Sequence, residues 1–252
     1  MAHAARCNRD PQHAFEHTLR TLQNSITAGG PSLEHFVYFS SSMVYGDFET
    51  PTVTEESPCR PIGIYGALKL AGEQLLAAHH QVTGLPYTII RPSALYGERC
   101  VSRRVAQVFI EHALQGVELT IAGDGTDRLD FTYIDDLTQG IERVLTHEAA
   151  RNETFNLTYG AAHSIAELVE VLRDAFPGVT VRREERDRLM PRRGALCVDK
   201  ARSVVGYAPA SSLEVGIPRY VSWYRDSGVF ADELIPEVVV PRSAPAVTAP
   251  AD

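Results

Sequence analysis

The sequence predicts an α/β fold built on a parallel sheet, and three observations carry that prediction. Two short runs, residues 35–40 and 87–91, are apolar and rich in β-branched or aromatic side chains throughout, as strands covered on both faces are. Between them, residues 63–83 carry helical apolar spacing and end at Gly84, a residue suited to a left-handed C-cap. Strand, crossover helix and strand in this order imply a right-handed parallel βαβ unit.

The elements follow in order. Residues 12–28 place Phe15, Leu19, Leu22 and Ile26 on a helical stripe that stops at Gly29-Gly30. The first strand ends in the cluster Ser40-Ser41-Ser42, and a Pro-rich acidic loop through Glu55, Glu56, Pro58 and Pro61 leads to the long helix. Pro92 stops the next strand. Beyond Gly97 the pattern predicts a helix over 101–115, a strand over 119–121 and a turn at Gly123-Asp124-Gly125. Asp135-Asp136 opens a helix reaching about residue 147, where the two carboxylates suit an N-cap and first turn better than paired acid catalysis. Residues 154–157 read as a further core strand, and Ser164 with Glu167 forms a capping box. From 229 onward the chain is tail-like, and its Pro- and Ala-rich end is expected to be disordered.

A chain of 252 residues can bury a substantial core as one domain or two closely joined lobes. The net charge of -8 argues against a nucleic-acid partner, although a local basic cleft for a small anion is compatible with it. Cys7, Cys59, Cys100 and Cys197 have no metal or redox spacing and read as reduced structural thiols. No apolar run approaches the roughly 18 residues of a membrane span, and no signal segment follows Met1, so a cytoplasmic location without a membrane partner is expected. His13 and His17 share a helix face but lack a third ligand, so no metal site is predicted.

Tyr65 and Lys69 are the pair most suited to chemistry. Four residues apart on a helix, they share a face, so the ammonium can stand beside the phenol. A nearby cation favours the phenolate, and together with a bound positive cofactor ring it is expected to draw the pKa from about 10 toward neutrality, where proton transfer is most effective.

Taken together, Ser40-Ser41-Ser42-Met43-Val44-Tyr45-Gly46, Tyr65-x-x-x-Lys69 and Arg91-Pro92-Ser93-Ala94-Leu95-Tyr96-Gly97 resemble the extended short-chain dehydrogenases that epimerise, dehydrate or decarboxylate nucleotide sugars. Gly123-Asp124-Gly125 and residues 131–136 strengthen the resemblance, which covers about residues 2–224. It implies an incomplete Rossmann-type parallel sheet with helices on both faces plus a small C-terminal substrate lobe. Residues 1–95 and 131–159 would form the core, and 96–130 and 160–228 the lobe. It implies Ser41, Tyr65 and Lys69 as catalytic residues, and Tyr65, Lys69, Ser40 and Arg91 at an NAD or NADP cofactor. Ser41, Ser42, Arg128 and Arg193 would meet a nucleotide-sugar or other small-molecule substrate. A homodimer paired through helices is also implied.

Several positions depart from the family pattern. No Gly-x-Gly-x-x-Gly or close variant occurs, so the turn that seats a cofactor pyrophosphate is missing from this sequence. The family's phosphate-binding arginine falls at Leu129, and two of its asparagines fall at Ala94 and at or near Thr18. Dehydratases of the family carry an Asp-Glu pair where Ser42 and Met43 stand, and decarboxylases often a glutamate at Met43, so both reactions are disfavoured. The resulting expectation is an NAD-dependent 4-epimerase-like reaction; a binding-only fragment and an NAD(P)-dependent ketoreductase are the alternatives.

Overall fold

A computed structural model describes residues 4–228; the expected tail from 229 lies outside the described residues. Helices α1 (Ala4–Arg9) and α2 (Pro11–Phe15) are followed by a π-helical turn over Glu16–Arg20 and by α3 (Thr21–Gly29). The backbone stays right-handed helical across both junctions, so residues 11–29 form one rod with a wide turn in its middle. Its buried positions are Ala14, Thr18, Leu22 and Ile26, each four residues from the last. A regular α-helix would rotate that stripe by about 40° at every step; the wide turn takes up part of the drift. Phe15, expected in the core, is instead 45% exposed.

Strand β1 (Phe36–Phe39) leads through a 3-10 turn, Ser42–Val44, and β2 (Thr52–Val53) into α4 (Gly63–Thr83). Gly84 closes α4 with φ of 75°, donating its N–H to the His80 carbonyl at 2.8 Å. Next come β3 (Tyr87–Arg91), β4 (Ala94–Tyr96), α5 (Val105–Leu114), β5 (Leu119–Ala122), β6 (Arg128–Tyr133) and α6 (Ile134–Thr146). The described chain ends with β7 (Glu153–Asn156), β8 (Ala162–Ser164), α7 (Ile165–Ala175), β9 (Val181–Glu184), β10 (Ala195–Leu196), α8 (Asp199–Val205) and α9 (Leu213–Ser227).

The central sheet runs β1-β3-β7, all parallel, with Phe36 opposite Tyr87 and Thr88 opposite Glu153. Side chains alternate between its faces. Tyr38 and Ile89 pack with Leu22, Ile26 and Leu76 of the N-terminal rod and α4. Ile90 and Phe155 pack with Leu137, Val144, Ala201 and Val205 of α6 and α8. Helices therefore cover both faces. Residues 198–207, read from sequence as part of the second lobe, join this core.

A second core gathers Tyr96, Phe109, Phe131, Leu168, Ile217 and Tyr220. Here β4 pairs parallel and β8 antiparallel with β6, and β5 pairs with β9. The Ser164 and Glu167 capping box forms as expected. Tyr133, not an aspartate, is the N-cap of α6. Asp136 instead accepts from the N–H groups of Ala210 and Ser211, both at 2.9 Å, while Asp135 pairs with Arg219. No described helix is long and apolar enough to cross a membrane, and no group of three potential metal ligands occurs among the described residues.

Candidate active site

The serine cluster caps the carboxyl end of β1, where the main chain turns immediately into the Ser42–Val44 helical turn. Ser41 accepts the Met43 N–H at 3.2 Å, fixing that turn from its N-cap position. Helix α4 then approaches closely enough that a Cβ on Gly66 would lie 2.6 Å from the Met43 carbonyl oxygen. Glycine at this point lets the neighbouring Tyr65 come up to the serines, where its hydroxyl feels the Ser41 side chain. Both are buried, at 8% exposure each.

The first turn of α4 is held from outside. Its N-cap, Ile62, has no capping side chain, but the Asn8 carboxamide oxygen accepts the Ile64 N–H at 2.8 Å. Asn8→Ala removes this cap and is expected to cost about 1 kcal/mol, read as a lower urea midpoint.

Lys69 lies one turn beyond Tyr65, as the spacing predicts. Its Nζ donates to the Phe39 carbonyl at 2.6 Å, 5.1 Å from the centre of the Tyr38 ring and 6.0 Å from that of Tyr65. Burial pushes the Tyr65 hydroxyl above its ordinary value, against the hydrogen bond from Ser41 and the charge of Arg104. In the chain without cofactor, desolvation is the largest influence on the Tyr65 hydroxyl.

Lys69 is itself pushed down to about 8 by burial. The sign of the consequence follows from linkage. Below pH 8 the folded and unfolded chains both carry the ammonium, and its burial cost is fully present. Between about 8 and the ordinary 10.5 the folded chain sheds the proton first, so stability gains with pH. Urea midpoints of the parent should rise across this window relative to Lys69→Met, which lacks the group.

Ser40 and Arg91, expected beside a cofactor, meet in a buried network. Ser40 donates to Glu73, and Arg91 grips the same carboxylate with Nε at 3.0 Å and Nη2 at 2.7 Å. Arg91 Nη1 also donates to the Tyr45 hydroxyl at 3.0 Å and the Glu55 carbonyl at 3.1 Å, and Tyr45 passes its own proton to Asn156 at 2.7 Å. This chain of bonds ties β1, α4, β3 and β7 together beneath the serines. Ser42 lies 3.4 Å from the Ser93 hydroxyl.

The two arginines expected at the substrate separate. Arg128 is half exposed and turns to the Ala162 carbonyl and to Glu167, 3.5 Å away. Arg193 comes to the site. The charged and polar neighbours it feels most are Arg104, Asp127, Tyr65 and Arg186, and burial pushes its guanidinium down to about 10. Its Nε and the Nη2 of Arg186 are buried without a hydrogen-bond partner among the described residues. Arg186 Nε pairs with Asp127 at 2.7 Å. The strap carrying Arg193 is pinned to β6, because the buried Asp130 carboxylate accepts the Leu196 N–H at 3.0 Å and the Thr158 hydroxyl at 2.9 Å.

Sequence reasoning missed Arg104 and Arg186. Arg104 stands at the N-terminus of α5, where its charge is felt by Tyr65, and nothing in its local sequence separates it from Arg103. Only the fold brings them across 39 residues (104 minus 65).

The model of the NAD dependent epimerase/dehydratase family matches residues 1–158. A dTDP-glucose 4,6-dehydratase of Streptomyces griseus is 32% identical over 227 residues, covering 89% of this chain and 68% of the relative. The crystal structure of a UDP-glucuronic acid 4-epimerase from Bacillus cereus, with UDP-glucuronic acid and NAD, superposes with a TM-score of 0.77 at 28% identity, covering 82% of this chain and 67% of that one. That of a dTDP-glucose 4,6-dehydratase from Streptomyces venezuelae, with NAD bound, gives 0.85 at 26% identity, covering 91% and 72%. The chain spans about two thirds of the length of the relatives it matches.

Proposed function

The chain belongs to the NAD dependent epimerase/dehydratase family, and from that premise we propose that it performs the proton-transfer part of a nucleotide-sugar 4-epimerase-like reaction. The observation that carries this reading is the meeting of the buried Ser41 and Tyr65 at the carboxyl end of β1, with Lys69 one helical turn away. In such parallel sheets, ligands bind beyond the carboxyl ends of the strands.

Residues able to hold the nicotinamide-ribose end of NAD are present in Tyr65 and Lys69, whose ammonium is already held at the end of β1. The donor set fits that end of the cofactor alone, because the sequence contains no glycine-rich turn for the pyrophosphate. NAD when bound would supply hydride transfer. The chain's own residues have three tasks. Ser41 donates a hydrogen bond to the sugar oxygen at the reacting carbon, Tyr65 accepts and later returns that oxygen's proton, and Lys69 holds a ribose hydroxyl. Arg193, with its unpaired buried Nε, receives a substrate phosphate. Ser40 and Arg91 act from below, fixing the serine turn through Glu73.

Epimerisation is preferred over elimination because Ser42 and Met43, next to Ser41, cannot move protons at neutral pH. A homodimer belongs to this reading, with the exposed Phe15 on the N-terminal rod as part of the contact. Isothermal titration calorimetry of the chain with NAD is the direct test. Micromolar binding followed by turnover of UDP-glucose or dTDP-glucose is expected. Absence of NAD binding would favour a binding-only role, for which the missing glycine-rich turn speaks.

A further inference from the structure

The strap that carries Arg193 is held from two sides. On one side it is laced to the loop that follows the serine turn. The Arg192 N–H donates to the Asp47 carboxylate at 2.6 Å, and the Arg192 carbonyl accepts the Phe48 N–H at 2.8 Å. Farther along, the Ala195 and Cys197 N–H groups donate to the Pro51 and Val53 carbonyls at 3.0 and 2.7 Å. Gly194 lies so close to this loop that a Cβ there would stand 2.2 Å from the Pro51 carbonyl oxygen. On the other side, the Leu196 N–H donates to Asp130 of β6 at 3.0 Å. Between these ties stands Arg193, whose Nε is buried without a partner among the described residues. We propose that Asp130 is a positioning residue for substrate binding: by holding the strap against β6, it sets the Arg193 guanidinium toward the substrate phosphate.

Asp130 is fully buried, and the groups that favour its charge are neutral donors. A carboxylate buried without an opposite charge is costly unless its oxygens are well supplied with hydrogen bonds. Here one oxygen, Oδ2, receives three: the Leu196 N–H, the Thr158 hydroxyl at 2.9 Å and the Gly160 N–H at 3.2 Å. Oδ1 shares the Gly160 donor at 3.2 Å. Thr158 is fixed in turn, because its carbonyl accepts the Tyr207 hydroxyl at 2.9 Å. One side chain thus joins three stretches that are distant in sequence: β6, the turn after β7 and the strap. An asparagine in the same place offers one acceptor oxygen and an amide donor, so part of this set would meet a donor instead. The remaining ties to the strap at Arg192 lie on exposed residues, Asp47 and Arg192 themselves, where a hydrogen bond competes with water and holds less firmly.

This inference rests on the reading of Arg193 as the phosphate residue, and two measurements on the full chain separate them. UDP is the probe of affinity, titrated calorimetrically at pH 8, where the Asp130 carboxyl, raised by burial to about 7, is ionised. Asp130→Asn should weaken UDP binding by about tenfold, the worth of one charge-assisted hydrogen bond. In an Arg193→Gln background the same replacement should change the affinity by less than about twofold, because the arginine it positions is gone. A merely structural Asp130 would weaken binding by the same factor in both backgrounds. That result, or an unchanged affinity in Asp130→Asn, overturns the proposal. Should Asp130→Asn fail to fold, Asp130→Glu, which keeps the charge and displaces it by one methylene, goes through the same cycle with the same expectation.

Trypsin reads the strap directly, since it cleaves after Arg192 and Arg193, and cleavage there in the folded Asp130→Asn chain should run several-fold faster than in the parent. If Arg193→Gln binds UDP as tightly as the parent, the phosphate reading falls, and the trypsin rate alone decides whether Asp130 holds the strap. An unchanged rate then overturns that role as well.

Discussion

Replacing Tyr65 with phenylalanine is expected to lower kcat by roughly 10²- to 10⁴-fold, the contribution typical of a positioned general acid or base, while NAD affinity changes little. The ring keeps its place, since Gly66 brings the helix against the Met43 carbonyl whatever stands at 65. The hydroxyl alone is lost from its place near Ser41. Steady-state rates with a nucleotide sugar, set beside calorimetric titration of NAD into the same variant, check both halves of the prediction. Turnover within threefold of the parent contradicts the role assigned to the hydroxyl.

Replacing Arg91 with leucine is expected to give the largest loss of stability. It leaves Glu73, 5% exposed, as a buried carboxylate whose remaining partner is the Ser40 hydroxyl, and strips donors from Tyr45 and Glu55. Breaking a buried pair from one side costs about 3–5 kcal/mol, which for a chain of this size lowers Tm by roughly 10 °C. The double replacement Arg91→Leu with Glu73→Leu should recover part of that loss, because no uncompensated charge then remains in the interior. Thermal unfolding of the three proteins by circular dichroism distinguishes the outcomes; equal losses in the single and double variants would show that packing, rather than charge, governs this site.

Local signals made α4 and β3 legible to the residue. Gly84 stops the helix, the run Tyr87–Arg91 admits no competing period, and Pro92 ends it. That Tyr65 and Lys69 share a face of one helix was legible from their spacing, whereas Ser41 was singled out among three serines by the family resemblance. What Lys69 touches was not legible, since the Phe39 carbonyl that receives it lies 30 residues away. Arg104 and Arg186 were illegible for the same reason: their local sequence is ordinary, and only the packing of the second lobe brings Arg104 toward Tyr65 and Arg186 toward Arg193. Arg91 was legible as important but not in what it does, because its Glu73 partner sits on the inner side of α4 among apolar neighbours. The capping box at Ser164 read correctly from four residues. Asp135 and Asp136 lie in the first turn of α6 as their sequence suggests, but their partners, Arg219 and the main chain at Ala210 and Ser211, were illegible because they are more than 70 residues downstream.

The wide turn at Glu16–Arg20 bears on how residues of this chain may be matched to those of any other. A π turn accommodates about one residue more than an α turn over the same rise, so a homologous rod with a regular helix would reach the same end point with one residue fewer. Correspondence drawn by counting is then displaced by one position on one side of the turn. Thr18, inside it, is where the family's asparagine was sought, and equivalence there has to be decided by position in space.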